Sequence, residues 1–294
     1  MKPVDIVLLL TLSAIWGASF LFMRFLAPLI GPLVTADLRI LIAGVVLSLA
    51  FAVLGPRLQW GSRWRPYLVV GVLNSAIPGA LYSFAALSLS ASAESVLNAL
   101  SPCFGAVFAA IWLAERLTFR KVVGLVLGVA GVAAVSGVGT EDLAGDRLVA
   151  VLACVTATAC YGLAGVYLKR RTSGIEPKAM AAGSQLLGGL VLLPSLALPP
   201  PAQALLDPLV AGTVVVFSLL CSAVAYLIFY RLVASVGPTK TLTVTFLIPV
   251  FGILWGALLF HETIGAATIA GSLFILGGTA LVTLSGKPRP KTVR

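Results

Sequence analysis

Two stretches of this chain follow one plan: PCFGAVFAAIWLAE at residues 102–115 and PVFGILWGALLFHE at residues 249–262. Pro, Phe, Gly, Ala and Glu recur in both at the same spacing, 147 residues apart. At that offset Gly124 also maps to Gly271, and Gly131 to Gly278. At an offset of 145, WGASFLFMR at 16–24 lies over YGLAGVYLK at 161–169, and LIAG at 41–44 lies over LLGG at 186–189. The change of two residues fits a loop insertion. The chain is one unit written twice.

What each unit contains follows from composition. Of the 294 residues 60% are hydrophobic and 10% charged, against about 25% charged in a soluble domain. A surface this apolar calls for a bilayer as solvent. Windows of roughly 20 apolar residues, enough to cross the hydrocarbon as helix, fall at 4–24, 33–54, 66–89, 93–114, 120–138, 148–168, 177–197, 209–231, 239–260 and 265–284. The runs are continuous and too long for the alternating strands of a membrane barrel. The first run is too long for a signal-peptide core and lacks a clear cleavage site.

Ten spans in two copies give five per copy, an odd number. The second copy must therefore enter the membrane upside down. The fold class expected is an all-α polytopic membrane protein of ten transmembrane helices, arranged as two inverted five-helix repeats over 1–139 and 147–284, with a basic tail at 285–294. Inverted repeats are a recurring plan of secondary transporters, with substrate held near the midplane between the repeats.

Charge sets the orientation. With the N-terminus in the cytoplasm, every one of the 20 Lys and Arg residues except Arg24, Arg39 and Arg147 falls on the cytoplasmic side. This is the positive-inside pattern, and it places both termini in the cytoplasm of a bacterial inner membrane. It also accounts for the net charge of +10 without a nucleic-acid partner. Cys103, Cys154, Cys160 and Cys221 all lie in spans without a Cys-x-x-Cys pair, and the chain has one histidine. Neither a disulfide framework nor a metal site is expected, and no cofactor is called for.

The repeats, the WG of span one, the Pro-to-Glu segment that closes span four and the glycine-rich fifth span resemble the EamA family of the drug/metabolite transporter superfamily. The resemblance covers nearly the whole chain, and its nearest characterised type is the YddG-like amino acid exporter. It implies a secondary transporter with a central cavity from which spans five and ten are excluded.

Polar groups and helix breakers inside spans mark where a substrate could sit. Span three carries Asn74, Ser75 and Pro78, and span four carries Asn98, Ser101 and Pro102. Asn98 shares a helix face with Ser101 and Pro102. Span nine answers with Thr245, Phe246 and Pro249 in the places of Asn98, Ala99 and Pro102. Two proline-kinked helices crossing near the centre are expected there; interhelical packing is the structural alternative. Trp16 and its counterpart Tyr161 stand mid-span, away from the interfacial belt, as do Tyr82 and Tyr226. Trp60 and Trp64 read as loop residues.

Asp37 and Arg39 are two apart, on different faces of span two, and Arg39 reads as too near the outer surface to serve a substrate. No carboxylate falls at an expected midplane, so facilitated export down a gradient is expected rather than proton coupling. The absence of a central cation points to neutral, zwitterionic or modestly cationic solutes, amino acids first and aromatic ones among them. Another metabolite or a cationic drug is the alternative, followed by a passive channel or an intramembrane enzyme. The lone His261 beside Glu262 offers no nucleophile–base pair, so no enzyme is expected. The expected partners are a small-molecule substrate and the lipid bilayer, with the protein acting as a monomer.

Overall fold

A computed structural model describes residues 2–54, 58, 60–136, 145–172, 174–197, 202–236, 241 and 243–284. The basic tail and the segment between the repeats from 137 to 144 lie outside the described residues. The described residues form helices and no strand, and their ten spans form two inverted five-helix repeats. Spans one and two are Pro3–Ile30 and Pro32–Leu54, span three Arg63–Ala85, and span four Ala91–Trp112. Span five is Phe119–Ser136, span six Asp146–Arg171, span seven Pro177–Ala197 and span eight Pro208–Val233. Spans nine and ten are Val244–Phe260 and Ala266–Leu284. Trp60 and Trp64, expected in a loop, lie in the helix that leads into span three, Trp60–Gly71.

Punctuation in the sequence sets these boundaries. Proline begins spans one, two, seven and eight, where its missing N–H is one the helix would leave unpaired anyway. Gly31, at φ 86°, takes the left-handed turn between spans one and two that a side chain would strain. Ser90 caps span four by accepting from the Ala93 amide at 3.1 Å, and Asp207 caps span eight through the Leu209 amide at 2.8 Å.

The two stretches quoted at the outset end alike. Ala114 and His261 are both left-handed, at φ 52° and 51°. The next residue in each case sends its amide back six residues: Glu115 to the Ala109 carbonyl at 3.2 Å and Glu262 to the Gly256 carbonyl at 3.1 Å. This Schellman-like closure sets both glutamates at equivalent points, one at each end of the bundle.

Packing repeats the symmetry. Span one lies against span nine and span six against the second half of span four, while spans three and six are matched by spans eight and one. Spans five and ten pair with each other, as do two and seven. Glycines let the backbones approach. A Cβ on Gly17 would stand 2.8 Å from Phe251 Cβ and 2.9 Å from Gly252 N, and one on Gly162 would stand 2.6 Å from Gly105 N. The WG motif and its YG counterpart are thus crossing points of equivalent helix pairs.

Spans four and nine do pack on each other, but among the described residues only span four is broken near its proline. Span four breaks into Ala91–Asn98 and Ser101–Trp112, whereas Pro249 lies within one continuous helix. Span nine packs on the first half of span four; the half that begins at Ser101 turns to span six. The break frees the two halves of span four to take different partners.

Candidate functional site

A cavity of about 510 Å³ lies between the repeats, within the usual range for small-molecule sites. Of the residues singled out in the sequence, Trp16, Asn74, Ser75, Tyr82, Asn98, Ser101, Pro102, Tyr161, Tyr226 and Thr245 line it together. No residue of span five or ten does. Pro78, Phe246 and Pro249 lie outside the lining. Span nine turns Val244, Thr245 and Ile248 to the cavity; at about 100° per residue Phe246 then points away, and Pro249 is buried beside that face. Pro78 is buried in the first turn of Ile77–Ala85.

Two widened turns shape the wall. Span three passes through a π-turn at Val72–Ala76 and span eight through another at Leu219–Val224. They are repeat counterparts, VLNSA over LLCSA at the offset of 147. A π-turn inserts a residue, rotates the helix beyond it and is common at functional sites. Asn74 in the first turn donates from Nδ2 to the Tyr226 hydroxyl at 3.0 Å. Ser222 in the second accepts from Arg39 Nε at 3.1 Å.

Arg39 corrects the sequence reading. It lines the cavity, and its guanidinium lies 4.8 Å from the Phe217 ring centroid, so a cation–π contact and the Ser222 hydroxyl hold it in place. Its distance along span two suggested an outer position; the packing of that helix against spans seven and eight brings it to the site. Asp37, two residues away, is fully buried and neither carboxylate oxygen has a hydrogen-bond partner among the described residues. Gln185 was also missed. It lines the cavity, and its buried Oε1 has no partner among the described residues. The nearest sequence signal for it was the alignment of LIAG with LLGG immediately after it.

Aromatic rings form the remaining wall. Trp16 meets Tyr226 edge-on at 6.1 Å and Phe229 at 5.7 Å. Tyr82 stacks on Tyr161 at 6.3 Å and its hydroxyl donates to Asn98 Oδ1 at 3.3 Å. Ser101 donates to the Asn98 carbonyl at 2.7 Å, which helps to hold the break in span four.

The cavity is closed at one end and open at the other. Its lining reaches Glu115 and Lys169 but not Arg24 or Glu262. At the closed end Glu262, 5% exposed, accepts from Arg24 at 2.7 Å. It also accepts from the Ala91 amide at 2.9 Å, the Ser92 amide at 3.1 Å and the Ser92 hydroxyl at 2.5 Å. One carboxylate thus ties spans one and nine to the N-terminus of span four, where helix dipole and free amides favour an anion. At the open end Glu115, 38% exposed, meets Lys169 at 2.8 Å and Lys121 at 3.7 Å. Arg24 and Lys169 are repeat counterparts, as are Glu262 and Glu115. The hydrogen bond from Lys169 holds the Glu115 carboxyl below its usual range.

Comparison with known proteins agrees with this architecture. The EamA-like transporter family model matches twice, at residues 4–137 and 148–284. The chain belongs to the EamA-like transporter family. The uncharacterized transporter YvbV of Bacillus subtilis is 28% identical over 95% of this chain and 92% of its own length. A probable terminal-alkyne amino-acid exporter of Streptantibioticus cattleyicolor is 23% identical over 83% of this chain and 81% of its own. A solved crystal structure covers both chains completely with a TM-score of 0.68 at 19% identity, a likeness of fold alone. The protein is therefore a multi-pass membrane transporter, and its family handles small molecules.

Proposed function

We propose that this EamA-family transporter exports amino acids, aromatic ones included, across a bacterial plasma membrane by alternating access between its inverted repeats. Both termini then face the cytoplasm, the Glu115 end opens inward, and the cavity described is the loading state of an exporter. The repeats at 1–139 and 147–284 are the moving halves, and the cavity is lined within one chain, as a monomer requires.

The observation that carries this reading is Arg39 in an aromatic cavity. A guanidinium held by Ser222 and Phe217 presents donors to a carboxylate. Gln185 Oε1 offers an acceptor to an ammonium group. Trp16, Tyr82, Tyr161 and Phe229 provide faces for an apolar or aromatic side chain. Arg39 in the central lining disfavours a cationic drug. The resemblance to the YddG-like exporters and the relative named as an amino-acid exporter point the same way.

Counterflow in liposomes tests it. Vesicles loaded with unlabelled amino acid are expected to accumulate labelled aromatic and neutral amino acids transiently, and Trp16→Ala and Asn98→Ala to lower that overshoot without loss of folded protein. No overshoot for any amino acid with folded protein overturns the substrate assignment. Linear, unsaturable flux without trans-stimulation overturns the carrier mechanism in favour of a channel.

A further inference from the structure

Glu94 is fully buried, and neither carboxylate oxygen has a hydrogen-bond partner among the described residues. It sits in the first turn of span four, the turn whose Ala91 and Ser92 amides are held by Glu262. Arg24 and Glu262 both act electrostatically on it. Arg24 is committed to Glu262 at 2.7 Å and reaches the Leu89 carbonyl at 3.4 Å. Among the described residues the Tyr82 hydroxyl and the Cys154 thiol are the other titratable groups beside Glu94, from spans three and six. Asn98, one turn along the same face, lines the cavity.

A carboxylate without a partner in an apolar interior is far costlier ionised than neutral. The helix N-terminus and Arg24, the nearby cation among the described residues, could support an anion, but Glu262 already uses both. The closed end therefore has room for one carboxylate charge, and Glu262 carries it.

We propose that Glu94 is a proton-binding site linked to the Glu262 end: Glu94 carries a proton while that end is closed, and the proton leaves to water when it opens. In the closed state Arg24, ionised Glu262 and protonated Glu94 sum to zero charge. Opening breaks the O–H bond of the Glu94 carboxyl, gives the proton to water on that side and leaves a hydrated carboxylate. Closure takes one proton back. Acid therefore favours the closed state and alkali opens it. The expectation of uncoupled export looked only for a carboxylate at the midplane; Glu94 lies at the Glu262 end of span four and makes that end pH-dependent. This linkage does not depend on which substrate is carried.

The test is hydrogen exchange of the full chain in nanodiscs without substrate, across a pH series from acidic to mildly alkaline. The amides of 91–95 report the closed end, and those of spans five and ten serve as a folding control. After correction for chemical exchange rate, wild-type protection at 91–95 is expected to fall with pH, by about tenfold per pH unit on the steep part of the curve for one linked proton. Glu94→Gln, which mimics the protonated form, is expected to hold the low-pH protection throughout. A flat wild-type profile overturns the proposal whether or not the variant folds. A wild-type-like profile in Glu94→Gln also overturns it, because another group then titrates. Since no substrate is present, these outcomes are separate from failure of the amino acid assignment.

Discussion

The two ends of the bundle are built from the same parts and are not in the same state. Each has a glutamate after a left-handed residue, a basic partner one repeat away and a glycine-mediated crossing beneath. At the closed end Glu262 is buried and also takes two amides and a hydroxyl from span four. At the open end Glu115 is partly exposed and has two lysines. The counterparts of Ala91 and Ser92 at that end are residues 238 and 239, outside the described residues. The comparison teaches that helix crossings do not distinguish the ends. What distinguishes them among the described residues is how dry the carboxylate is, 5% exposed at one end and 38% at the other.

Glu262→Ala should break the comparison most severely. It leaves Arg24 and the first amides of span four without their anion, and each charge-assisted hydrogen bond lost is worth about 1.5–3 kcal/mol. Cysteine labelling from the Glu262 side should rise and transport collapse; unchanged labelling would remove Glu262 from the closure. Gly17→Ala and Gly162→Ala should sharpen it. Both press a methyl onto backbone of the facing helix, and overpacking costs about 1–3 kcal/mol. Similar losses of thermal stability are expected at the two sites, and a large difference would show that the crossings do set the ends apart.

Arg39→Gln separates the site from both ends. Loss of a charge-assisted hydrogen bond to a carboxylate is worth about 1.5–3 kcal/mol, so substrate affinity should fall more than tenfold while labelling at the ends is unchanged. Equal affinity in the variant would refute Arg39 as the carboxylate anchor. Lys169→Ala should have the smallest effect, under about 1 kcal/mol, as for exposed pairs generally. The Glu115 carboxyl is held below its usual value, so this bridge is intact at neutral pH. It is lost only as pH falls through that lowered value, and labelling at the open end should change only in acid.

Much of this was legible in the sequence. Runs of apolar residues gave the spans, and the 147-residue repeat with an odd span count gave the inversion. Trp16 and Tyr161 entered the lining because mid-span position is readable along one dimension. Arg39 and Gln185 were not, because whether a residue faces lipid, a neighbour or a cavity depends on helix rotation and tilt. The two π-turns add a further rotation in spans three and eight. Their repeated VLNSA and LLCSA were visible as a match but carried no sign of a widened turn. Pro102 and Pro249 misled in the opposite sense, since equal letters formed a break in one span and a continuous helix in the other.

The sequence by itself determined the solvent, the number of crossings, the inverted pairing and the position of both glutamates, because run length, parity and turn chemistry are local properties that sum along the chain. Only the tertiary structure decided which end is closed, where Arg39 points and that Glu94 lies buried without a partner. A sequence with two near-equal halves specifies two near-equal packings, and the choice between them rests on contacts between residues more than a hundred positions apart.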